Sequence, residues 1–316
     1  MLKLFQCMSF FVFLSSTFVS ASTSPTPLKF SATKVSDNVY SIVAPSYGRP
    51  TAENQGWNSN SHFIVTDNGV LVIDTGSSEP IGQAIKSAIQ DVTDRPIRWV
   101  VNSHSHADHW LGNGAFKSPD VEFISTSLAS QTMALDGPID VKAFKKMTKG
   151  ATGESTLVYP TSMIDKTHKR QFGNVDVEFY LAQNGHSPGD IYLWLPKQRI
   201  AFSGDLLSKN YLPIMTPRGD VPNLITTLKE IEQLAPVSLL AGHGERVPKR
   251  ALSRDIAFLT AAWKGVKNGL SQAESVESIV KRLQSSLGPK YRAEYQDFDS
   301  SIQYLVEMMV EKQHRA

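Results

Sequence analysis

Four potential metal donors fall within six residues at His104-Ser105-His106-Ala107-Asp108-His109, in a chain of 316 residues with only eight histidines. A fold that accepts this run must carry it where imidazole and carboxylate can converge. The preceding segment, Ile97 to Asn102, has the apolar, β-branched character of a buried strand, so the cluster starts where a strand ends. His104 and His106 stand two apart in extended chain, point to one side and can reach one metal ion. Asp108 continues that side, and His109 turns toward a second position. Donors at a strand end have a rigid support and face solvent, as a catalytic metal site requires.

The N-terminus has a different character. Lys3 precedes an apolar, Phe-rich stretch from Met8 to Val19, and Val19-Ser20-Ala21 ends it with small residues. This pattern defines a secretory signal peptide over residues 1–21, with an uncleaved anchor as the alternative, and places the protein in a periplasm or outside the cell. Residues 22–34, Ser/Thr/Pro-rich at their start, read as a linker. The apolar stretch is short for a membrane span and no later one qualifies, so no stable span is expected after cleavage. Cys7 is the only cysteine and lies before the cleavage point, which excludes disulfides, thiolate ligands and a cysteine nucleophile from the mature chain. Its place before the apolar run also argues against a lipoprotein. The formal net charge of +2 falls by one when Lys3 is removed. Near-neutrality gives no reason to expect nucleic acid or an anionic membrane as partner. A small-molecule substrate is the expected partner, and the oligomeric state is not legible.

Strand patterns cover Asn38 to Val43, Ser61 to Thr66 and Val70 to Asp74, the last two joined by the turn Asp67-Asn68-Gly69. Helical periodicity follows over Glu79 to Val92, then the strand before the His cluster, then a helix over Ser127 to Lys149. A second strand set runs Val175 to Ala182, Asp190 to Leu195 and Arg199 to Phe202, with a helix over Asn223 to Leu234 and a strand over Val237 to Ala241. Beyond Val247 only helices are predicted, around Arg250 to Val266, Gln272 to Leu287 and Ser300 to Lys312. Two strand sets with intervening helices predict two sheets packed face to face with helices outside, an α/β (α+β) four-layer αββα sandwich.

Three later donors stand beside glycines at strand ends: His186 in Gly185-His186-Ser187-Pro188-Gly189, Asp205 in Ser203-Gly204-Asp205, and His243 in Gly242-His243-Gly244. Each alone reads as a hydrogen-bonded loop residue. In this order, with Val72-Ile73-Asp74-Thr75-Gly76 and the His104–His109 cluster, the chain resembles the metallo-β-lactamase fold superfamily over residues 35–250, with residues 251–316 as a helical extension. By that resemblance His104, His106 and His186 would hold one metal, Asp108, His109 and His243 a second, and Asp205 would bridge them. Asp74 would support the metal loop without binding metal.

A thiolate-free set of imidazoles and carboxylates suits zinc, two ions per chain, with iron or manganese as alternatives. The resemblance implies an exported dinuclear zinc metallohydrolase that cleaves an ester, thioester, lactone or amide with a metal-activated hydroxide, which Asp108 as catalytic residue would orient. Asp205 stands where secreted zinc β-lactamases have Cys or Ser, which places the chain on the side of the other hydrolases, with a β-lactamase as the alternative. Flavin-linked members have Glu at the position of His106. The segment His186 to Pro196 and then Ala201 to Leu206 is similar to exported quinoprotein-relay or SoxH-like zinc hydrolases, a narrower resemblance that brings no substrate. Two further alternatives are a mononuclear iron persulfide dioxygenase and a non-catalytic metal-binding protein. One iron with oxygen uptake would mark the first, and absence of any hydrolysis the second.

Trp110 departs from the small or aliphatic residue common after the cluster. It could line a pocket with Trp57 and Tyr211, or all three could simply pack. His62 reads as a hydrogen-bonded strand residue rather than a substrate group, and Lys209 as a solvated lysine rather than a carboxylate binder. His168 and His314 are assigned nothing. The Gly/Thr-rich segment 147–156 lacks phosphate-loop spacing and is expected to be a mobile loop, with a lid role open.

Overall fold

The computed structural model describes residues 28–45, 48–213 and 216–315. The signal-peptide expectation and the Ser22 to Pro27 part of the linker lie outside them. Among the described residues no helix is long and apolar enough to cross a membrane.

Two mixed sheets form the centre. The first contains β1 (Thr33–Lys34), β2 (Val39–Ile42), β3 (Ser61–Thr66), β4 (Gly69–Ile73), β5 (Ile97–Val101), β6 (Glu122–Ser125) and β7 (Ser162–Met163), in that order. It is antiparallel up to β4 and parallel from β4 to β7. The second contains β8 (His168–Phe172), β9 (Val175–Leu181), β10 (Ile191–Leu195), β11 (Ile200–Gly204) and β12 (Ser238–Ala241), ordered β12-β11-β10-β9-β8. Only its β11–β12 pair is parallel.

Side-chain alternation builds the layers. Leu71 and Ile73 of β4 face Leu193, Leu195 and Phe202 of the other sheet across an apolar interior. Val70 and Val72 point the other way, onto Ile81 and Ile85 of α1 (Glu79–Gln90). Tyr192 and Trp194 of β10 point outward onto α4 (Val221–Gln233) and the C-terminal helices α5 (Arg250–Ser271), α6 (Val276–Tyr291) and α7 (Phe298–Arg315). These are the four αββα layers that the two strand sets predicted. Between β5 and β6 lies the short helix α2 (Ala107–Trp110) with a 3-10 turn over Leu111–Phe116, and α3 (Ser127–Met147) follows β6.

The helices start on side-chain caps. Ser78, Thr126 and Asp220 accept hydrogen bonds from the amides of Ile81, Ala129 and Asn223, and proline occupies the first turn of α1 and α4. Strands β1, β6, β7 and β8 were not anticipated. β1, β6 and β7 span two to four residues, and β8 (HKRQF) is mostly polar, so none carries a clear apolar alternation. The 147–156 segment is anchored rather than free. Thr148 and Thr152 are buried and hydrogen-bonded to each other, the Thr156 amide donates to Glu79 Oε2 at 3.0 Å, and Ser155 Oγ accepts from the Glu79 amide at 3.1 Å.

Candidate metal centre

The donors gather where strands of both sheets end. His104, His106, Asp108 and His109 follow β5, His186 precedes β10, Asp205 follows β11 and His243 follows β12. Two groups result, and within each the ligand atoms lie within 4.8 Å of one another: His104, His106, His186 and Asp205, and Asp108, His109 and His243. In the first, His106 Nδ1 is 3.0 Å from both His104 Nε2 and His186 Nε2. In the second, His109 Nε2 and His243 Nε2 are 3.4 Å apart, and the Asp108 carboxylate lies 3.8 Å from the former and 3.4 Å from the latter.

Asp205 faces both groups. Oδ2 is 3.6 Å from His104 Nε2, 3.7 Å from His186 Nε2 and 3.2 Å from His243 Nε2, while Oδ1 is 3.4 Å from His109 Nε2. That Oδ1 is buried with no well-formed hydrogen bond among the described residues. Gly242 keeps the space open, since a β-carbon there would overlap the Asp205 carboxylate and press on the His109 ring. Ring nitrogens converging on an under-bonded carboxylate fit divalent cations of the zinc type.

Charge divides the two groups. Burial drives His104 well below the ordinary imidazole range, helped by His109, and lowers His106 to about 3 with His186 beside it. Burial also opposes charge on His109 and His243, but carboxylates overcome it there. Asp205, Asp108 and Asp74 hold His109 well above its ordinary value, and Asp205 and Asp108 raise His243 to about 10. Burial likewise disfavours ionised Asp108 and Asp205, yet neighbouring imidazoles, His109 foremost, hold both carboxyls below their usual range. The two carboxylates thus demand positive charge at the second group.

Further residues fix ring orientation. Asp74, at φ +59° directly after β4, accepts from the Ser103 amide at 2.7 Å and, through Oδ2, from Ser103 Oγ at 2.8 Å and His109 Nδ1 at 2.9 Å. Ser103 Oγ in turn lies 2.9 Å from His104 Nδ1, so one buried carboxylate steadies a ring in each group. Asp190 accepts from the His186 and Ser187 amides, both at 2.8 Å, which shapes the His186 loop. Its carboxyl is pushed up by burial. Nothing in the sequence alone assigns a role to Asp190, or to Asn58, Ser59 and Asn60. Asn58 Nδ2 donates to Asp108 Oδ2, and Asn60 Nδ2 donates to the carbonyls of Ala241 and Gly244. A polar triplet before a strand looks like any turn, so only its three-dimensional partners reveal it.

The remaining residues resolve individually. Trp110 is fully buried, donates Nε1–H to the Ser105 carbonyl at 3.0 Å and packs with Ala129 and Met133, so it belongs to the core under α3 and not to an entrance. Trp57 stacks on Phe30 at 3.6 Å. His62 is a buried strand residue, 2.8 Å from Ser41 Oγ and 3.1 Å from the Ala241 carbonyl, and burial lowers it to about 4. Lys209 is ion-paired with Glu245 rather than solvated alone. The Tyr211 amide donates to Ser208 Oγ at 3.2 Å.

A profile described as "Metallo-beta-lactamase superfamily" matches residues 54–120. The (R)-specific secondary-alkylsulfatase of Pseudomonas sp is 28% identical over 194 residues, covering 51% of this chain and 29% of that protein. The chain spans half or less of the length of the alkylsulfatases it matches. The metallo-beta-lactamase type 2 of Bacteroides fragilis is 22% identical over 222 residues, 68% of this chain and 79% of that protein. Among solved structures, the stereoselective inverting sec-alkylsulfatase Pisa1 from Pseudomonas sp. superposes with a TM-score of 0.72 at 16% identity, over 90% of this chain and 50% of that one. The αββα sandwich is the metallo-β-lactamase fold.

Proposed function

We propose that the chain is an exported, dinuclear zinc-dependent hydrolase of a small molecule with a cleavable ester, thioester, lactone or amide. The observation that carries this reading is Asp205, whose carboxylate lies within 3.2–3.7 Å of ring nitrogens from both donor groups. His104, His106 and His186 would hold one ion, Asp108, His109 and His243 the other, and Asp205 both. Bound there, two zinc ions would acidify a water and polarise the oxygen of the scissile bond.

The chain's own residues do the rest. Asp74 and Ser103 fix ring orientations, and the imidazoles of His104 and His106, driven toward neutrality by burial, keep their lone pairs. Asp108, held below the usual carboxylate range, is a poor store for a proton and serves to orient the attacking water. Export rests on the Lys3, Met8–Val19 and Ala21 pattern. The narrower likeness to quinoprotein-relay or SoxH-like hydrolases is kept on the His186 to Leu206 sequence and names no substrate.

The alkylsulfatase match favours an ester, sulfate esters included. Amide cleavage is the second reading, because the Bacteroides fragilis β-lactamase is matched over 79% of its length. Zinc-loaded protein assayed against primary and secondary alkyl sulfates, carboxylic esters, lactones, thioesters, cephalosporins and carbapenems tests both. Turnover of an ester-type substrate with weak β-lactamase activity is expected. Efficient carbapenem or cephalosporin hydrolysis would put the second reading first. A two-metal protein inert across the whole panel would leave a binding protein.

A further inference from the structure

The three residues before β3 fasten the second donor group together. Asn58, Ser59 and Asn60 are all buried. The Asn58 side chain donates Nδ2–H to Asp108 Oδ2 at 2.7 Å, and its carbonyl accepts from His243 Nδ1 at 2.7 Å. Ser59 Oγ donates to the Asp108 carbonyl. The Asn60 amide donates to the Gly242 carbonyl at 2.7 Å, and its side chain donates to the carbonyls of Ala241 at 3.0 Å and Gly244 at 2.6 Å. Ala44 N–H donates to Asn60 Oδ1 at 3.0 Å and ties the segment to the end of β2. Among the described residues these bonds reach Asp108, His243 and the His243 loop, and none reaches His104, His106 or His186.

Asn58 acts on both ligands it touches. An ionised carboxylate can only accept, so the Asn58 nitrogen must face Asp108, which fixes that carboxylate's rotamer. Accepting the proton of His243 Nδ1 turns Nε2 toward Asp205 and Asp108. The orientation carries a cost. Asn58 Oδ1 is buried with no hydrogen-bond donor among the described residues, an arrangement rare in folded proteins. Such an orientation points to a role at the Asp108 carboxylate rather than in fold stability.

We propose that Asn58 is the positioning residue of the second metal site, making cation binding there, and not at the first site, depend on its side-chain amide. This rests on the two-metal reading above. Stepwise zinc titration of the chelator-stripped full chain, by competition with a chromophoric chelator, tests it in wild type and Asn58→Ala. The Ala variant removes the amide and keeps the backbone carbonyl for His243. Asn58→Leu, close to Asn in size and without a donor, serves if the cavity left by Ala unfolds the chain.

The first binding step should stay within about twofold of wild type, while the second weakens roughly 10–100-fold, the usual loss when a ligand's hydrogen-bond partner is removed. A purely structural residue would weaken both steps or neither, and either result overturns the proposal while leaving the hydrolase reading in place. Failure of both variants to fold overturns it as well, since the amide would then serve the fold. A wild-type chain with a single zinc step overturns the two-metal reading itself and this proposal with it.

Discussion

Positive charge is spread unevenly over the imidazoles of the centre, and single substitutions should reveal the division. His106 Nδ1 is the shared neighbour of His104 and His186. His106→Ala should lose metal from the first group and at least about a thousandfold in turnover, because the ion sets the acidity of the attacking water. The metal-free variant should melt like metal-free wild type, since His106 lies in none of the apolar clusters. Wild-type turnover with metal confirmed absent would sink the hydrolase reading. Asp205→Cys replaces a two-oxygen carboxylate with one soft donor, so the zinc ratio should fall and hydrolysis should drop more than thermal stability does. Asp140 on α3 offers a pH test. Burial, with Asp136 and Asp108 nearby, raises its carboxyl from 3.8 to about 6, against the pull of Arg218. The unfolded chain ionises first, so Asp140 costs stability as pH rises through that interval, and the cost stays present above it. In metal-free protein, Asp140→Asn should therefore raise the melting temperature at pH 7.5 and not at pH 3.5. Partial exposure limits the gain to about 1 kcal/mol or less. At this scale the donors were legible because four crowd into six residues, and the later three through family resemblance. Asn58 and Asn60 were not, because hydrogen bonds to residues far along the chain leave no local mark.

Residues 206–213 and 216–220 link the helical extension to the metal centre. Arg254 of α5 donates to the carbonyls of Ser208 and Lys209, the Gln296 amide donates to the Asn210 carbonyl at 2.7 Å, and Lys312 of α7 reaches the Gly219 carbonyl at 2.7 Å and Asp220 at 3.0 Å. Among these residues, Thr216 donates to the His186 carbonyl through N–H at 2.8 Å and Oγ1–H at 2.9 Å. Arg254 is poorly suited to probing this link, because removing it strands the buried Asp255 and should cost several kcal/mol, about 3–5 for a broken buried pair. Lys312→Met removes only a partly exposed contact. It should raise KM about two- to fivefold with kcat within about twofold, the scale of one modest polar interaction. An unchanged KM in steady-state kinetics would show that the extension does not shape the substrate site. Long, strongly periodic elements such as α1 and α4 were legible from their apolar spacing. β8 was not, because a mostly polar edge strand lacks the alternation that betrays a buried one.

At the scale of the whole molecule, two sheets bring together strand ends that the sequence keeps far apart. β5, β11 and β12 each end at the centre, so packing of the two sheets sets the spacing of the ligands. The two strand sets made the sandwich legible, while the unity of the second half was not. One apolar cluster runs from Tyr192, Ala201 and Leu239 through α4 to Phe258, Leu283 and Leu305 of the extension. Helical periodicity tells which face of a helix is apolar and leaves open which partner covers it. The most direct measurement is elemental analysis of the full chain at saturating zinc, paired with hydrolysis before chelation, after it and after zinc is restored. About two zinc ions per chain are expected, with turnover that vanishes on chelation and returns with the second ion. One metal per chain at saturation, or a single iron with oxygen uptake in place of hydrolysis, would contradict the two-metal reading.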